Sequence, residues 1–416
     1  ACRRVQMHQK QFGRNLALLS VFTFCTSMTQ TGNAQDSVPI MGWHSIPASE
    51  VSLERFKEMA GAGFTHSFMG YDAETNLRAL DFAQQAGMKL IIQDARFFED
   101  EDTLEKAVRG YKNHPALEAY GLRDEPGAAA FEQLATVRNR LKKADPNHWS
   151  YVNLYPNYAD AEQLQTPTYT EHVRRFQLTF RPEILSYDHY CILDDGTYRP
   201  QYYENLEIIR SSALEFNVPF WAFTLSVPFK PYPMPTDGHL RFQVWSIFAY
   251  GAKGLQYFTY WTPKPGTWDF HDAPIGLDGT RSPTYDLAKV LNADVQVYAT
   301  LFMNSSVTAV YHTEPLPNGT KGLDESAPFT AVEGGEALIA VHVLPDKRRY
   351  AIVVNRSFTN PVHLTLTKNR NLKSIGRATL PTGAVHTLDV CAENPTFSLS
   401  LSAGDAALLE LDWKER

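Results

Sequence analysis

Several short apolar runs in this chain end on a carboxylate or an aromatic residue, and those endings are where its chemistry concentrates. The sharpest is Gly121-Leu-Arg-Asp-Glu-Pro126, which stops on an acidic pair closed by a proline. An ionised Asp124 raises the pKa of the adjacent Glu125. A carboxyl that keeps its proton toward neutral pH is a general acid, able to protonate an oxygen that otherwise leaves poorly. The competing assignment is that Glu125 caps a helix expected to begin near Ala128, because acids favour helix N-termini. A second acid is needed as base or nucleophile. Asp188, in Ser186-Tyr-Asp-His-Tyr190, is the leading candidate, with Asp94 and Asp124 as rivals. For Asp188 a hydrogen-bonded binder of substrate or arginine is as good a reading, since structural ion pairs also fill such places.

Polar and aromatic residues fall at the equivalent ends of neighbouring runs: Trp43 and His44, Tyr71 and Asp72, Arg96, Tyr155 and Asn157, His189 and Tyr190, and Trp261, with Trp221 inside a further run. Phe97 and Trp268 add to the aromatic set. Rings beside polar groups suit a ligand with both apolar faces and hydrogen-bonding edges. The loop Pro228-Phe-Lys-Pro-Tyr-Pro-Met-Pro235 is too proline-rich for a helix and could wall such a cleft.

The elements that must position these groups alternate in type. Runs rich in β-branched and aromatic residues are expected as strands at Pro39 to His44, Thr65 to Gly70, Lys89 to Asp94, Ala119 to Arg123, Ser150 to Leu154, Ile184 to Asp188, Phe220 to Thr224 and Leu255 to Tyr260. Between them, helical spacing covers Leu53 to Ala62, Glu74 to Gln85, Leu104 to Lys112, Phe131 to Lys142, Glu171 to Phe180, Gln201 to Glu215 and Leu240 to Tyr250, and Tyr285 to Leu301 follows the eighth run. Gly63, Gly87 and Gly251 fall near helix ends, where a left-handed cap suits glycine. Eight such units predict an α/β fold, a (β/α)₈ TIM barrel over residues 35–303, with its chemistry at the C-terminal ends of the strands.

From residue 304 to 416 the period shortens to two. Val307 to Tyr311, Ala337 to Val343, Tyr350 to Asn355, His363 to Thr367, Thr396 to Leu401 and Ala407 to Leu411 predict an antiparallel β-sandwich of six to eight strands.

Residues 1–34 read as an export leader. Lys10 and Arg14 precede an apolar stretch from Leu16 to Met28, and Gly32-Asn33-Ala34 offers a small-residue cleavage site before Gln35. Met7 can serve as the start, which would leave residues 1–6 as upstream sequence. The stretch is too short to span a bilayer. Cys25 lacks the small residues expected before a lipidated cysteine, so an exported protein is expected before a lipid-anchored one.

The chain carries 39 basic and 46 acidic residues, for a net charge of -7. The leader holds Arg3, Arg4, Lys10 and Arg14 and no acid, which leaves 35 bases against 46 acids and a body at -11. A body this acidic repels polyanions, so nucleic acid is disfavoured as a partner on electrostatic grounds and a neutral ligand fits better. Cys191 and Cys391 are far apart and outside any C-x-x-C motif, so two thiols are expected rather than a disulfide framework. His44, His66 and His189 lack metal-ligand spacing, and phosphate-binding glycine loops and the G-x-S-x-G elbow are missing, so neither metal nor organic cofactor is expected. The Asn-x-Ser/Thr matches at Asn304, Asn318 and Asn355 are short enough to arise by chance, and nothing in the sequence sets an oligomeric state.

With its acidic pair at the end of the fourth strand, the chain resembles the (β/α)₈ glycoside hydrolases, whose fourth strand ends in Asn-Glu-Pro with the glutamate as acid/base. The stretches Pro115 to Pro126 and Phe248 to Trp261 carry most of the likeness, and a C-terminal sandwich commonly follows such barrels. The resemblance implies Glu125 as acid, with Asp124 in place of the asparagine, and a carbohydrate substrate. It departs at the seventh strand, where a glutamate nucleophile is usual and this chain reads Trp221-Ala-Phe-Thr-Leu-Ser226, with no acid before Asp237. Two repairs are open: a carboxylate from another strand acts as nucleophile, or the enzyme inverts, and inversion with Asp188 as base is the favoured expectation. A non-catalytic carbohydrate-binding barrel and a transglycosylase are the alternatives.

Overall fold

The computed structural model describes residues 37–414, so the leader assignment lies outside the described residues. Eight parallel strands close into a barrel in sequential order, β1 next to β2 and so on until β8 pairs with β1. They are β1 Ile40–Trp43, β2 His66–Met69, β3 Lys89–Ile92, β4 Leu117–Asp124, β5 Trp149–Leu154, β6 Leu185–Tyr187, β7 Phe220–Leu225 and β8 Gly254–Phe258. The helices are α1 Leu53–Gly61, α2 Ala73–Gln85, α3 Glu101–Tyr111, α4 Phe131–Ala144, α5 Ala161–Leu164, α6 Tyr169–Thr179, α7 Tyr202–Phe216, α8 Asp237–Ala249, α9 Pro283–Val297 and α10 Ala299–Asn304. The expected strands and helices are present, with two adjustments. The last expected helix is split at Tyr298, and the short α5 carried no apolar period to betray it.

Local sequence starts these helices where they start. Ser52, Asp72, Asp100, Thr168, Thr236 and Ser282 each accept a backbone N–H of the first turn, which satisfies donors that have no partner within the helix. The barrel interior is filled by Met41, Phe68, Ile91, Ala119, Tyr151 and Trp221. A wider core between strands and helices continues without a break into the sandwich.

The sandwich has nine strands among the described residues, against the six to eight expected: β9 Ser306–His312, β10 Phe329–Glu333, β11 Ala337–Val343, β12 Arg349–Asn355, β13 Val362–Lys368, β14 Leu372–Thr379, β15 Ala384–Thr387, β16 Thr396–Leu401 and β17 Ala406–Trp413. A six-stranded sheet, β15-β14-β17-β12-β11-β9, faces a three-stranded one, β10-β13-β16. The larger sheet is buried on both sides. Ile339, Val341, Val353 and Leu409 meet the small sheet, while Leu338, Ala340, Ile352 and Val354 join the barrel core. That second contact explains α8. Ten of its residues, from Gly238 to Ala249, are buried because it lies between barrel and sandwich, so it is apolar all round. No helix among the described residues is long and apolar enough to cross a membrane.

Candidate active site

β4 ends in an irregular turn. The pairing with β5 shifts register between Gly121 and Arg123, leaving Arg123 and Asp124 both accessible to water. Glu125 follows at φ 43°, a left-handed conformation that a side chain adopts at a cost, and its N–H is held by the Asn153 carbonyl at 2.8 Å. Such strain persists only where the surroundings enforce it, and it concentrates at functional sites.

The turn brings three carboxyl groups together. Nδ2 of Asn153 donates to Oδ1 of Asp124 at 3.1 Å and to Oδ1 of Asp188 at 2.8 Å, and Asp188 and Glu125 share a side-chain hydrogen bond. One nitrogen touching both aspartates keeps those two oxygens within about 6 Å of each other. Asn153 is fixed from below. Ser186 donates to its Oδ1 at 2.9 Å, Gln256 donates to Ser186 at 2.8 Å, and the Tyr151 hydroxyl donates to Gln256 at 2.5 Å. The barrel interior thus orients one amide, and that amide orients two acids.

No basic side chain is among the groups acting on the three acids. Burial, then the charge of Asp124, pushes the Glu125 carboxyl up to about 7, with the Asp188 hydrogen bond opposing. Asp188 is 4% exposed, and burial followed by the charges of Glu125 and Asp124 raises it well above the usual carboxylate range. Asp124 is also raised, chiefly by burial. Water nevertheless reaches its side chain. Two contacting carboxyls cannot both ionise cheaply, so the pair holds a proton near neutral pH.

The other candidates divide into those brought to this cluster and those held away from it. Tyr155 and Tyr190, both half-buried, feel the charges of the trio. Half-buried Trp43 packs on Phe68 with ring centroids 4.1 Å apart. His44, half-buried at φ 43°, is kept neutral by burial, which lowers its pKa. His189 is buried with Nδ1 on Asn205 at 3.0 Å, and Asn157 braces the loop after β5 through Asn205 and Gln201.

Asp94 is not free to act. Arg96 binds it through Nε at 2.9 Å, Tyr111 donates to it at 2.7 Å, and it caps a turn of 3₁₀ helix. Burial works against this, but the hydrogen bonds hold its carboxyl below the ordinary range, and Arg96 is committed to the same clamp. Asp72 caps α2, and the buried Tyr71 hydroxyl donates to the Ile46 carbonyl. Trp221 is 3% exposed inside the barrel, where a Cβ on Gly254 would lie 2.5 Å from its ring. Trp261 is 2% exposed beneath the Arg55 guanidinium, 5.0 Å from the ring centroid, and its backbone N–H is held by the His44 carbonyl at 3.1 Å. Of these six, Tyr71, Trp221 and Trp261 are buried, and Asp72, Asp94 and Arg96 are engaged in local caps and pairing.

Several groups were missed in the sequence. Asn153 is a lone polar residue in an apolar strand, which is a readable sign of a buried hydrogen-bonding task. The aromatic wall was readable in part: the proline-rich loop over residues 228–235, Tyr190 and Trp268 were expected, whereas Phe258 and Phe270 were not; Phe229, Tyr232, Phe258 and Phe270 pack with Tyr190, and Trp268, half exposed, stands 5.5 Å from Phe229. A concavity of about 1370 Å³ on the sandwich shares no residue with the barrel mouth, and of its four acids Asp346 is paired with Arg348. Among the described residues no group of three His, Cys, Asp or Glu side chains is arranged to hold a metal ion.

No protein-family model and no curated protein matches the chain. Solved structures do. A family 39 glycoside hydrolase from the gut symbiont Bacteroides cellulosilyticus WH2 aligns over 91% of this chain and 82% of its own, at 11% identity and a TM-score of 0.53. A β-galactosidase from Bacillus circulans sp. alkalophilus aligns over 90% and 99%, at 8% identity and a TM-score of 0.56. The chain therefore has the fold of these glycoside hydrolases, a TIM barrel followed by antiparallel sheets. At such identities the likeness is one of fold, and function has to be argued from the site.

Proposed function

We propose that the protein is an exported glycoside hydrolase acting on a neutral oligo- or polysaccharide, with Glu125 as the general acid. The observation that carries this reading is the trio at the barrel mouth. Glu125 sits in contact with one acid and beside another, pushed up to about 7, as a proton donor for a glycosidic oxygen must be at neutral pH. Tyr155, Tyr190, Trp43 and the wall ending at Trp268 would supply faces for sugar rings, and His44 and Asp124 hydrogen bonds to hydroxyls.

An inverting pair stands roughly 6.5–9.5 Å apart to admit a water, whereas a retaining pair stands at about 5 Å. The closeness of Asp188 to Glu125 supports the closer-set arrangement over the inverting one expected from sequence. The reading that fits is retention: substrate separates the pair, the shared proton stays with Glu125 and passes to the leaving oxygen, and ionised Asp188 bonds to the anomeric carbon. Water then releases the sugar and returns its proton to Glu125.

Hydrolysis of a panel of aryl glycosides and oligosaccharides, with the first product anomer read by proton NMR, tests both parts. Turnover with retained configuration is expected. Inversion removes Asp188 from the nucleophile role, and sugar binding without turnover favours a carbohydrate-binding barrel, the reading invited by the acid-free end of β7. Export predicts a mature N-terminus at Gln35, checked by the intact mass of the secreted chain.

A further inference from the structure

Beside the trio lies a group of buried polar atoms with no partner in the protein: the Tyr169 hydroxyl, Nδ2 of Asn205, Oδ1 of Asn157, and Nε2 of both His189 and His172. Tyr169 is 6% exposed, His189 2%, and Asn205 and His172 not at all. They form one connected group. Oδ1 of Asn205 accepts the Asn157 backbone N–H at 2.8 Å and bonds Nδ1 of His189 at 3.0 Å. His189 follows Asp188 in the chain. The Tyr169 ring stacks on His172 with centroids 6.3 Å apart, and its hydroxyl faces Asn205 while feeling the charges of Asp188 and Glu125.

Donor and acceptor accounting says what would complete the group. A carbonyl oxygen only accepts, so Nδ1 of His189 carries the hydrogen toward Asn205, and Nε2 is left as a bare lone pair. The same holds for His172, whose Nδ1 donates to the Leu164 carbonyl at 3.0 Å. Burial keeps both rings neutral. Asn157 donates through Nδ2 to the Gln201 carbonyl, which leaves Oδ1 as an acceptor. Against these three acceptors stand two donors, Nδ2 of Asn205 and the Tyr169 hydroxyl; Nδ2 comes within reach of the hydroxyl oxygen, and with that contact made its second N–H and the hydroxyl hydrogen still have no partner. Each buried polar atom left unpaired costs about 1–3 kcal/mol, and native proteins relieve such clusters with ordered water, which both donates and accepts.

We infer that Tyr169, Asn205, Asn157 and His189 bind a cluster of ordered water beside Asp188, and that this cluster fixes where the proton of the Asp188–Glu125 pair resides. These are positioning residues. The inference rests on the reading of that pair as the reacting acids. The other groups acting on Asp188 are Asp124 at the end of β4 with Glu125 after it, Tyr151 and Asn153 of β5, Tyr187 of β6, and the flanking Tyr158 and Tyr190. Arg199, stacked 4.2 Å over the Tyr158 ring, is the cation of this wall. Donors in a water cluster stabilise the charged carboxylates, so removing one of them favours the protonated pair.

Tyr169→Phe removes the hydroxyl and keeps the ring. A high-resolution crystal structure is expected to show water bridging Asn205 and Tyr169. The alkaline limb of kcat/KM, set by the Glu125 proton, is expected to move up by about half a pH unit in Tyr169→Phe, a threefold change in its acid constant, with KM unchanged. A direct Asn205–Tyr169 hydrogen bond with no water, or a superimposable pH profile, overturns the inference. If no glycoside is hydrolysed, it is the functional reading that fails. Carboxyl ¹³C titration of Glu125 in the two proteins then tests the water cluster without turnover: the same upward shift is expected, and identical titration curves overturn it.

Discussion

Replacing Glu125 with glutamine should remove activity and stabilise the protein, with a pH dependence that identifies the cause. The wild-type carboxyl titrates near 7 in the folded chain, against 4.5 for an unperturbed glutamate. Because its folded pKa is raised, the group favours folding fully only below about pH 4.5, and that contribution is lost as pH rises through 7. Glutamine never ionises. The variant should therefore match wild type near pH 4, gain steadily between about 4.5 and 7, and hold its advantage above that range. At 1.36 kcal/mol per pKa unit the plateau is about 3 kcal/mol, an upper figure because water reaches the half-buried carboxyl. For a chain of this size, that is roughly 3–4 °C in Tm. Calorimetry from pH 4 to 9 reads the gain, and hydrolysis of a substrate with a poor leaving group should fall at least about 100-fold. A Glu125→Gln variant that is less stable than wild type at pH 8, or more stable by the same amount at every pH, refutes the account of a carboxyl strained by burial and by Asp124. Unchanged turnover refutes its role as acid.

Arg96→Met should cost about 1 kcal/mol at neutral pH, a figure kept low because the guanidinium is 40% exposed and screened by water. Asp94 has a depressed folded pKa, so its contribution is present above the unfolded value and lost as pH falls through the folded one. The cost should therefore fade toward pH 3 in urea unfolding, with kcat unchanged, and a cost equal at both pH values would contradict the clamp. Arg241 ties Asp237 and Asp294 of the barrel to Asp405 of the sandwich, and Arg241→Met should lower stability by about 2–3 kcal/mol by leaving those acids opposed. A Tm within a degree of wild type would show that the junction holds without it. Trp268→Ala should raise KM several-fold on oligosaccharides and leave kcat alone, and an unaltered KM takes the exposed end of the aromatic wall out of substrate binding.

The barrel was legible because each strand announces itself as a short apolar run between capped, amphipathic helices. The sandwich was less so. β10, β14 and β15 escaped notice because their outward faces are polar or exposed: Ala384–Thr387 is exposed throughout, and Leu372–Thr379 mixes lysine, serine, glycine and arginine. For the site, the rule that chemistry lies at strand ends collected the acids that the structure brings together along with several that it holds apart. Asp94 and Asp188 look alike in sequence, both closing a strand. What separates them is that Arg96, two residues on, folds back onto the first, while the second is met by Asn153 from a neighbouring strand and by Glu125 from the next but one. The first contact is local and could have been suspected. The second is created by barrel closure, which no spacing along the chain reveals.

The end of β7 shows the same distinction most sharply. Leu225, Ser226 and Val227 occupy the place where the resemblance leads one to expect a glutamate, and all three are buried. Ser226 is fully enclosed and donates to the Thr259 carbonyl at 2.7 Å, while Leu225 and Val227 belong to the apolar cluster of Phe229 and Tyr232. A carboxylate placed there would face a carbonyl oxygen and an apolar wall, losing hydration with nothing to offset it. A missing acid is therefore built into the packing of this wall and is not a lone substitution that a single reversal could repair. Among the described residues, the acids acting on Glu125 are Asp124, its neighbour in the chain, and Asp188 just after β6, oriented by Asn153. Any chemistry at this barrel mouth that needs a second carboxyl has to draw it from those two, and their closeness to Glu125 favours a covalent or ion-pairing role over the activation of a distant water.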